Sequence, residues 1–567
     1  MNSRRVPLPS PDPLTGESHG WEVTLEDGGR VQWQGMYTGP RILDGVQIEH
    51  ACRELLGCDP GEVAAEVDRR LLPATGERAS RPALILHSST PELKAFEGDL
   101  QALAQGAKPG DLTTYKETRS VYLARPGDVA VGRTAPWRTA VGILGVEAVE
   151  LPDVEHYYLS HALLGLALEH QRRPCPPIAS MLRFLRRGPR KIKLYSFEPE
   201  MQMFLLWLAR TAGVQGLAVE ANRPTLAAAW NRKSVLHPPV SRVRDLTISA
   251  NLTPDELLAL EASRSDLATL TGIEAPAIPG YTLERRGRDA ADFAAQAVEA
   301  ARMLRRRYGL TTGCLKASEA GDGARITAGL SLADTAALER LTRGAHVHGD
   351  DYVLEAHVDY RLTSVAGQHV SSAVSAHVRG GSLAAGATLQ FVEGTSWKGN
   401  LFLDGGTLGA FRISPSHYRR SRRFVGDFLG HFERRDPGLV LGGVDLAVGK
   451  VGGAFGDREL LGVQDLNVSF TGAECLRTFL DKARDRGPEL GPYGVTRVYR
   501  PRPGGGHGAF LEVTAAACGD GIFADTVASI PGRWAMVGVT GRDPEDALGN
   551  LRFLEEALIL GGLIEPP

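Results

Sequence analysis

The sequence predicts a multidomain α/β (α+β) protein, and three observations support that prediction. From about residue 81, short apolar strands alternate with helices, the pattern of a parallel sheet covered by helices on both faces. From 313 to 468 the chain consists mostly of strands and glycine turns, and a small α/β piece follows after about residue 485. At 567 residues the chain is too long for one hydrophobic core, so three or four domains are expected.

The predicted elements follow in chain order. Residues 21–35 have a strand–turn–strand pattern with Asp27-Gly28-Gly29 at the turn, and helices are expected over 48–56 and 60–72. The next stretch is expected to hold apolar strands at 83–86, 129–131 and 191–195, with helices at 156–169 and 200–212. Thr253 is a good N-cap for a helix, and Asp543 is expected to cap a final helix over 544–560, behind a strand at 534–539.

Composition limits the class of protein. Hydrophobic residues make up 43% and charged residues 23%, as in ordinary globular proteins. The net charge of −3 argues against a nucleic-acid partner, and the arginine runs at 305–307 and 419–423 are expected to be solvated helix faces. The six cysteines form no CxxC pair, and no segment has the ~20 apolar residues of a membrane helix. The N-terminus lacks the apolar run of a secretory signal, so a soluble cytoplasmic protein is expected.

Two glycine-linked segments, 442–448 and 462–472, contain the main candidate metal ligands. Side chains alternate faces along a strand, so Asp465 and Asn467 point the same way. If the segments pair as a hairpin, Asp445 lies opposite them. Carboxylate and amide oxygens suit Mg²⁺ that also holds phosphate oxygens, and buried unpaired carboxylates are costly. The hairpin is therefore predicted to be a metal site.

Two earlier segments suggest nucleotide binding. In 313–326 a strand carries Lys316 into a small-residue loop whose backbone N–H groups can cradle an anion; the GK[ST] of a Walker motif is absent. In 351–359 a strand carries Glu355 and is followed by Val358 and Asp359, where nucleotide pockets often read adenine by backbone and hold ribose by a carboxylate. A plain hairpin and a strand that surfaces into solvent remain the alternatives for these segments.

The order of these segments resembles the ATP-grasp superfamily of ligases. The matching features are Lys316 at the start of the phosphate loop, Glu355 at the adenine hinge, and the DLN at 465–467 in place of the more usual ExN. More narrowly, the chain is similar to the pre-ATP-grasp peptide ligases of the pheganomycin type, from about residue 81 to 567. Lys233 looks like the family's earlier nucleotide-contacting lysine.

The resemblance implies a division of the chain and a fold. It implies a pre-ATP-grasp parallel α/β domain at 81–235, a two-lobed ATP-grasp domain at 236–484, and a C-terminal α/β subdomain at 485–567. Residues 1–80 are left as an N-terminal extension of open role. The extension itself carries no recognisable chemistry.

The resemblance also implies an ATP-dependent carboxylate–amine ligase that works through an acyl-phosphate. Mg²⁺, or Mn²⁺, would be held by Asp445, Asp465 and Asn467, while Lys316 and Lys233 would neutralise the phosphates. Further roles would fall to a phosphate lid of Ser318, Gly321 and Gly323, and to the Gly472 N–H at the tetrahedral oxyanion. Amino acids or a short peptide are the expected carboxylate and amine, and a homodimer is the default assembly.

Two departures from the family keep alternatives open. Asp465 is one methylene shorter than glutamate, and Ser469 stands where many relatives have arginine; Arg412 is the candidate substitute, with a surface arginine equally open. A catalytically inert ATP-binding scaffold is the main rival, and a carboxylating ATP-grasp enzyme is a second. His346 and His348 have a spacing that zinc can use but suit a solvated strand end better, and His507 is expected at a flexible hairpin tip.

Overall fold

In the computed structural model the chain is a mixed α/β protein, as predicted. The described residues are 2–7, 9–11, 18–25, 27–33, 44–87, 117–133, 138–152, 158–319, 325–394, 396–435, 438–502, 506–530 and 534–566. Gly321 and Gly323 of the predicted phosphate loop lie outside them. Within the described ranges, no helix is both long and apolar enough to cross a bilayer.

The N-terminal part contains a small sheet and two helices. Strands β1 (Asn2–Pro7), β2 (His19–Thr24) and β3 (Arg30–Trp33) form a three-stranded antiparallel sheet, with the predicted turn between β2 and β3. Helices α1 (Gly45–Leu56) and α2 (Pro60–Arg70) follow. Asp44 and Asp59 each form a capping box, which explains where both helices begin.

A six-stranded parallel sheet forms the next unit, and the parallel domain is confirmed. Its order is β4-β9-β8-β5-β6-β7, built from β4 (Leu71–Pro73), β5 (Ala83–Leu86), β6 (Val129–Gly132), β7 (Glu147–Glu150), β8 (Lys191–Leu194) and β9 (Leu217–Glu220). The helices here are α3 (Arg119–Leu123), α4 (Arg138–Leu144), α5 (Leu159–Arg172), α6 (Pro176–Arg186) and α7 (Pro199–Ala212). Helix α8 (Pro224–Trp230) follows β9.

The boundaries predicted at 80 and 235 are both misplaced. Strand β4 pairs with β9, and α1 and α2 share a core with α7, where Arg210 Nε donates to Glu66 at 3.0 Å. Residues 45–80 therefore belong to the parallel domain rather than to an extension. At the other end, Trp230 packs on Phe428 and Phe432 of a later helix, so the chain leaves the parallel domain before residue 224.

A four-stranded antiparallel sheet, ordered β10-β13-β11-β12, forms the smaller lobe of the next unit. Its strands are β10 (Gly280–Leu283), β11 (Thr312–Ala317), β12 (Ile326–Ser331) and β13 (Tyr352–Ala356). The helices around it are α9 (Val240–Val243), α10 (Pro254–Ala262), α11 (Asp266–Thr271), α12 (Ala290–Tyr308) and α13 (Thr335–Ala345). The predicted Thr253 cap of α10 is confirmed as a capping box with Glu256.

The larger lobe is a ten-stranded sheet with the path β14-β21-β17-β19-β20-β23-β25-β24. Strands β18 and β22 pair with β17 and β21, and β15–β16 form a separate hairpin. The strands are β14 (Asp359–Tyr360), β15 (Leu362–Val365), β16 (Gln368–Ser371), β17 (Val374–Arg379), β18 (Ser382–Leu383), β19 (Ala387–Glu393), β20 (Ser396–Leu403), β21 (Leu441–Lys450), β22 (Glu459–Asn467), β23 (Tyr493–Tyr499), β24 (Ala524–Ile530) and β25 (Trp534–Gly541). The helices are α14 (Pro415–Arg435), α15 (Gly472–Arg486), α16 (His507–Ala516) and α17 (Pro544–Leu560).

The α/β piece predicted after residue 485 is joined to the large sheet. Strand β23 pairs with β20, so β23, β24 and β25 extend the large sheet. The final helix is capped by Asp543 as predicted. Two histidine predictions are wrong: His346 and His348 lie in a 3₁₀ turn rather than a strand, and His507 is buried as the first residue of α16.

The parallel domain docks directly on the strand that carries Asp445. Asn222, just beyond β9, accepts from the N–H groups of Val440 and Leu441 at 2.7 and 3.1 Å and donates to the Leu441 carbonyl at 2.6 Å. Beside it, Lys193 Nζ of β8 lies 3.3 Å from Glu474 Oε1 of α15. The carboxyl edge of the parallel sheet is thus fixed against the start of β21.

Candidate functional site

The acid hairpin has the predicted form. Strands β21 and β22 pair antiparallel, with Asp445 opposite Asp465 and Gly443 opposite Asn467. The register shifts between Asp445 and Leu446, a bulge that re-aims side chains at this point. All three predicted metal-ligand residues therefore lie on one face of one strand pair.

Three side chains hold the Asp445 carboxylate. Asn467 Nδ2 donates to its Oδ2 at 2.8 Å, while Ser375 Oγ and Gln390 Nε2 donate to its Oδ1 at 3.1 and 2.6 Å. Burial, together with the nearby Asp465 carboxylate, raises the pKa of Asp445 to about 6. Ser375 and Gln390 come from β17 and β19, and no feature of the local sequence indicated them.

Lys233 joins this acid pair to the predicted phosphate loop. Its Nζ lies 2.9 Å from Asp465 Oδ2, and its backbone N–H donates to the Ser318 carbonyl at 3.0 Å. The residue begins a buried 3₁₀ turn, Lys233–Leu236. The sequence assigned Lys233 to nucleotide contact, and the structure places it at the hairpin.

Ser318 differs from the expected lid residue. It is buried, its hydroxyl donates to Ser234 Oγ at 2.8 Å, and it accepts from the Ser234 N–H at 3.0 Å. Its own N–H donates to the Asp351 carbonyl at 2.8 Å. Ser318 is thus a fixed anchor at the root of the loop, and the glycines expected to move lie outside the described residues.

Lys316 and Glu355 form a buried ion pair between neighbouring strands β11 and β13. His237, just beyond the Lys233 turn, lies with Nε2 3.1 Å from Glu355 Oε2. Burial alone would raise the pKa of Glu355, but the Lys316 ammonium and His237 lower it to about 2. Gly280 permits this approach, because a Cβ there would lie 2.6 Å from His237 Nδ1. Glu355 therefore orients the lysine from within the strand rather than standing at a hinge.

The residues after β13 connect the small sheet to the large one. Val358 is buried and Asp359 is exposed, and Asp359 pairs with Lys450 to join the chain to β21. Gly449 is needed there, since a Cβ would meet the Asp359 carbonyl oxygen at 2.1 Å. The connection between the small and large sheets thus passes beside the predicted adenine and ribose contacts.

Gly472 begins α15, where backbone N–H groups lack partners within the helix. A Cβ on Gly472 would lie 2.2 Å from Cζ2 of Trp397, so the ring requires glycine at this place. When the amide of Asn400 is oriented to suit its neighbours, its oxygen accepts from the Ala473 N–H at 3.3 Å. Asn400 is paired with Gln390 across β19 and β20. The start of the helix therefore lies near Asp445 and the side chains that hold it (Ser375, Gln390 and Asn467), here called the Asp445 cluster.

Ser469, which stands where many relatives have arginine, and Arg412, its candidate substitute, have different surroundings. Ser469 is half-buried just past β22 and faces a small recess. Arg412 is exposed, has φ of +51°, and its carbonyl accepts from Arg361 Nη2 at 2.8 Å. Among the described residues no contact joins the Arg412 side chain to the acid hairpin, which favours the surface-arginine alternative.

The oxygen atoms of Asp445, Asp465 and Asn467 fit a divalent cation whose remaining ligands are water or phosphate oxygens. The described residues contain no cluster of three or more His, Cys, Asp or Glu that could hold a metal alone. Asn467 uses its NH₂ on Asp445, so its amide oxygen remains available beside two carboxylates. The raised pKa of Asp445, caused by burial and by Asp465, marks a site with too little positive charge. Two carboxylates and one amide suit Mg²⁺ that completes its shell with water and phosphate oxygens.

Comparison with known proteins yields distant structural likenesses. No family model and no curated protein matches this sequence. An ADP complex of N5-carboxyaminoimidazole ribonucleotide synthetase is 11% identical, with a TM-score of 0.43 over 86% of this chain and 98% of its own. The biotin carboxylase domain of Hydrogenobacter thermophilus 2-oxoglutarate carboxylase, bound to ADP and bicarbonate, is 12% identical, with a TM-score of 0.40 over 78% and 87%.

D-alanyl-alanine synthetase A from Vibrio cholerae is 13% identical, with a TM-score of 0.30 over 52% of this chain and 72% of its own. At these scores the likeness carries no argument about activity, which rests instead on the site.

Proposed function

We propose that this chain is an ATP-dependent carboxylate–amine ligase of the ATP-grasp superfamily. The observation that carries the proposal is the joining of three predicted elements by one short segment. Lys233 contacts both Asp465 of the acid hairpin and Ser318 at the root of the phosphate loop, and His237 contacts Glu355, the partner of Lys316. Residues 233–237 thus gather the charged groups that phosphoryl transfer needs.

The proposed reaction has two steps. An oxygen of the substrate carboxylate attacks the γ-phosphorus of ATP, the bond from that phosphorus to the bridging oxygen breaks, and ADP leaves. The amine nitrogen then attacks the acyl carbon, the bond from carbon to the phosphate oxygen breaks, and the nitrogen loses a proton to water. The products are an amide or peptide, ADP and phosphate.

The chain's own groups supply position and charge. Mg²⁺ bound at Asp445, Asp465 and Asn467 would neutralise phosphate oxygens. Lys316 is held by Glu355. Burial alone would lower the pKa of Lys316, but the nearby Glu355 carboxylate keeps that pKa above the usual range, so the ammonium stays charged for a phosphate. Such transfers depend mainly on positioning and electrostatic stabilisation.

Other proposed contacts lie around this centre. Val358 and Asp359 lie where the backbone would read adenine and a carboxylate would hold ribose. The N–H groups at the start of α15, at Gly472, would face the tetrahedral oxyanion. Amino acids or a short peptide are the proposed substrates, by family resemblance.

The acyl-phosphate makes the proposal testable before the substrates are known. Pools of amino acids and dipeptides would be incubated with MgATP and hydroxylamine, a small amine that converts an acyl-phosphate to a hydroxamate. The proposal predicts ADP and hydroxamate in equal amounts with at least one pool, and neither product with Asp445→Asn. Transfer of ¹⁸O from a labelled carboxylate to phosphate would identify the acyl-phosphate route. ATP binding with no ADP from any pool would favour the inert scaffold.

A further inference from the structure

A small recess lies next to the Asp445 cluster, two residues farther along strand β17. It is bounded by Gly442 at the start of β21, by Ser469 and Thr471 past β22, and by His377 and Arg477. His377 is two residues beyond Ser375, which holds Asp445, so the recess lies about 7 Å along β17 from that contact. It has room for roughly one water-sized group.

Arg477 is a buried guanidinium without an ion pair among the described residues. Its exposed fraction is 7%, and its Nε has no hydrogen-bond partner. Nη1 donates to the Ala385 carbonyl at 2.9 Å and Nη2 to His377 Nδ1 at 3.4 Å, while the guanidinium lies over the Phe402 ring. Burial lowers the pKa of Arg477 to about 10. A buried charge left this way is costly unless an anion joins it.

The neighbouring carboxylate does not fill that role. Glu474 also lines the recess, but its Oε1 accepts from Arg379 at 2.9 and 3.0 Å and lies 3.3 Å from Lys193 Nζ. Arg379 in turn donates to Asp481. Arg477 is therefore the cation of this cluster that lacks a directly paired anion.

His377 adds a second donor. Burial, with the adjacent Arg477, keeps the pKa of His377 well below its usual value, so the ring is neutral. A guanidinium only donates, so His377 Nδ1 must accept from Arg477 and the ring proton lies on Nε2. Gly443 makes room for this ring, because a Cβ there would lie 3.2 Å from Nε2 and 2.6 Å from Cδ2.

We propose that this recess receives one oxygen of the phosphoryl group during transfer, with Arg477 as its cation and His377 and Ser469 as neutral donors. Arg477 thereby supplies the positive charge of the arginine that many relatives carry at the position of Ser469, and Arg412 does not. The inference rests on the proposed function, because it needs a phosphoryl group at the adjacent acid hairpin. It adds a phosphate-binding residue that comes from α15 rather than from the DLN strand.

The test uses inorganic phosphate as the probe on the full chain saturated with MgADP, the other product of the reaction. Phosphate binding would be measured calorimetrically on the wild type, Arg477→Met, Arg477→Lys and a control, Arg486→Met. Arg486 lies on the same helix but is exposed and stacks on Phe523. The inference predicts phosphate binding at least tenfold weaker in Arg477→Met, intermediate in Arg477→Lys, and within twofold of wild type in the control.

Thermal unfolding without ligands separates a binding role from a structural one. Removing an uncompensated buried charge should leave the melting temperature of Arg477→Met unchanged or raised. Equal phosphate binding in Arg477→Met and wild type, or no phosphate binding by a wild type that binds MgADP, would overturn the inference. A wild type that fails to bind MgADP would instead contradict the proposed function, and phosphate titrated without nucleotide would still test the recess.

Discussion

The Lys233 ammonium lies 2.9 Å from the Asp465 carboxylate, directly across the strand pair from Asp445. A lysine from outside both strands thus supplies positive charge to an acid pair that is otherwise short of it. The same residue is hydrogen bonded to the root of the loop after β11 through its backbone. Lys233 therefore couples the hairpin to the loop, and its removal should affect metal and nucleotide differently.

Replacing Lys233 with methionine should weaken ATP binding more than metal binding. Without the ammonium, the phosphates lose a cation, and MgATP affinity should fall about tenfold, or ~1.4 kcal/mol. The affinity for Mg²⁺ alone should not fall, because the Lys233 ammonium no longer competes with the cation for Asp465. Calorimetry with Mg²⁺ and with MgATP measures both affinities, and Arg232→Gln, at the half-buried preceding residue, is the control. A parallel loss of both affinities would argue that Lys233 only supports the fold.

The Lys316–Glu355 pair should make stability depend on pH. Burial opposes ionisation of Glu355, yet Lys316 and His237 lower its pKa to about 2, below the ordinary 4.5. For a depressed carboxyl pKa, the stabilisation is present above about pH 4.5 and is lost as the pH falls toward 2.

Urea unfolding at pH 3 and pH 6 tests this assignment. Glu355→Gln should cost about 3–5 kcal/mol at pH 6, because Lys316 is left buried without its partner, and much less at pH 3. The exposed Glu512→Gln should show no such difference. An equal cost at both pH values would mean that the pair is not ionised as described.

Alanine at Gly472 should strain the start of α15. The added Cβ would lie 2.2 Å from the Trp397 ring, and overpacking of this kind costs about 1–3 kcal/mol. Combining Gly472→Ala with Trp397→Leu should restore part of the loss, measured by urea unfolding. If the double variant lost at least as much stability as the two single variants together, contact with the Trp397 ring would not be the cause of the strain.

Glycine at Arg412 should stabilise the protein without affecting the site. The left-handed backbone at φ +51° is strained for a residue with a Cβ, so Arg412→Gly should raise the free energy of unfolding by about 1 kcal/mol or less. MgATP affinity should stay within twofold of wild type because the side chain is exposed. A loss of tenfold or more would restore Arg412 as a phosphate-neutralising residue.

The acid hairpin was predictable because strand alternation fixes which side chains share a face, and Asp465, Asn467 and Asp445 follow that rule. The lysine-bearing strand and the capped helices also had local signals, such as the Thr253 capping box. Ser375 and Gln390 had none. They reach Asp445 from strands β17 and β19, whose pairing is decided by tertiary packing.

The domain boundaries failed for the same reason. Strand β4 has three residues, too few for a pattern, and it is recognised only by its pairing with β9. Strand β23 looked like the start of a new unit until its pairing with β20 placed it in the large sheet. His507 lies among glycines in sequence, yet its ring is buried and Nδ1 lies 2.9 Å from the Tyr122 hydroxyl, a contact between distant segments.

The most direct test is calorimetric binding of ATP with and without Mg²⁺, on the wild type, Asp465→Ala and Asp457→Asn. Asp457 lies in the turn of the same hairpin with its side chain 97% exposed, so it is a matched control. We expect Mg²⁺-dependent ATP binding that Asp465→Ala loses and Asp457→Asn keeps. ATP binding indifferent to both Mg²⁺ and Asp465, or no ATP binding at all, would contradict the assignment of this hairpin as the centre of the site.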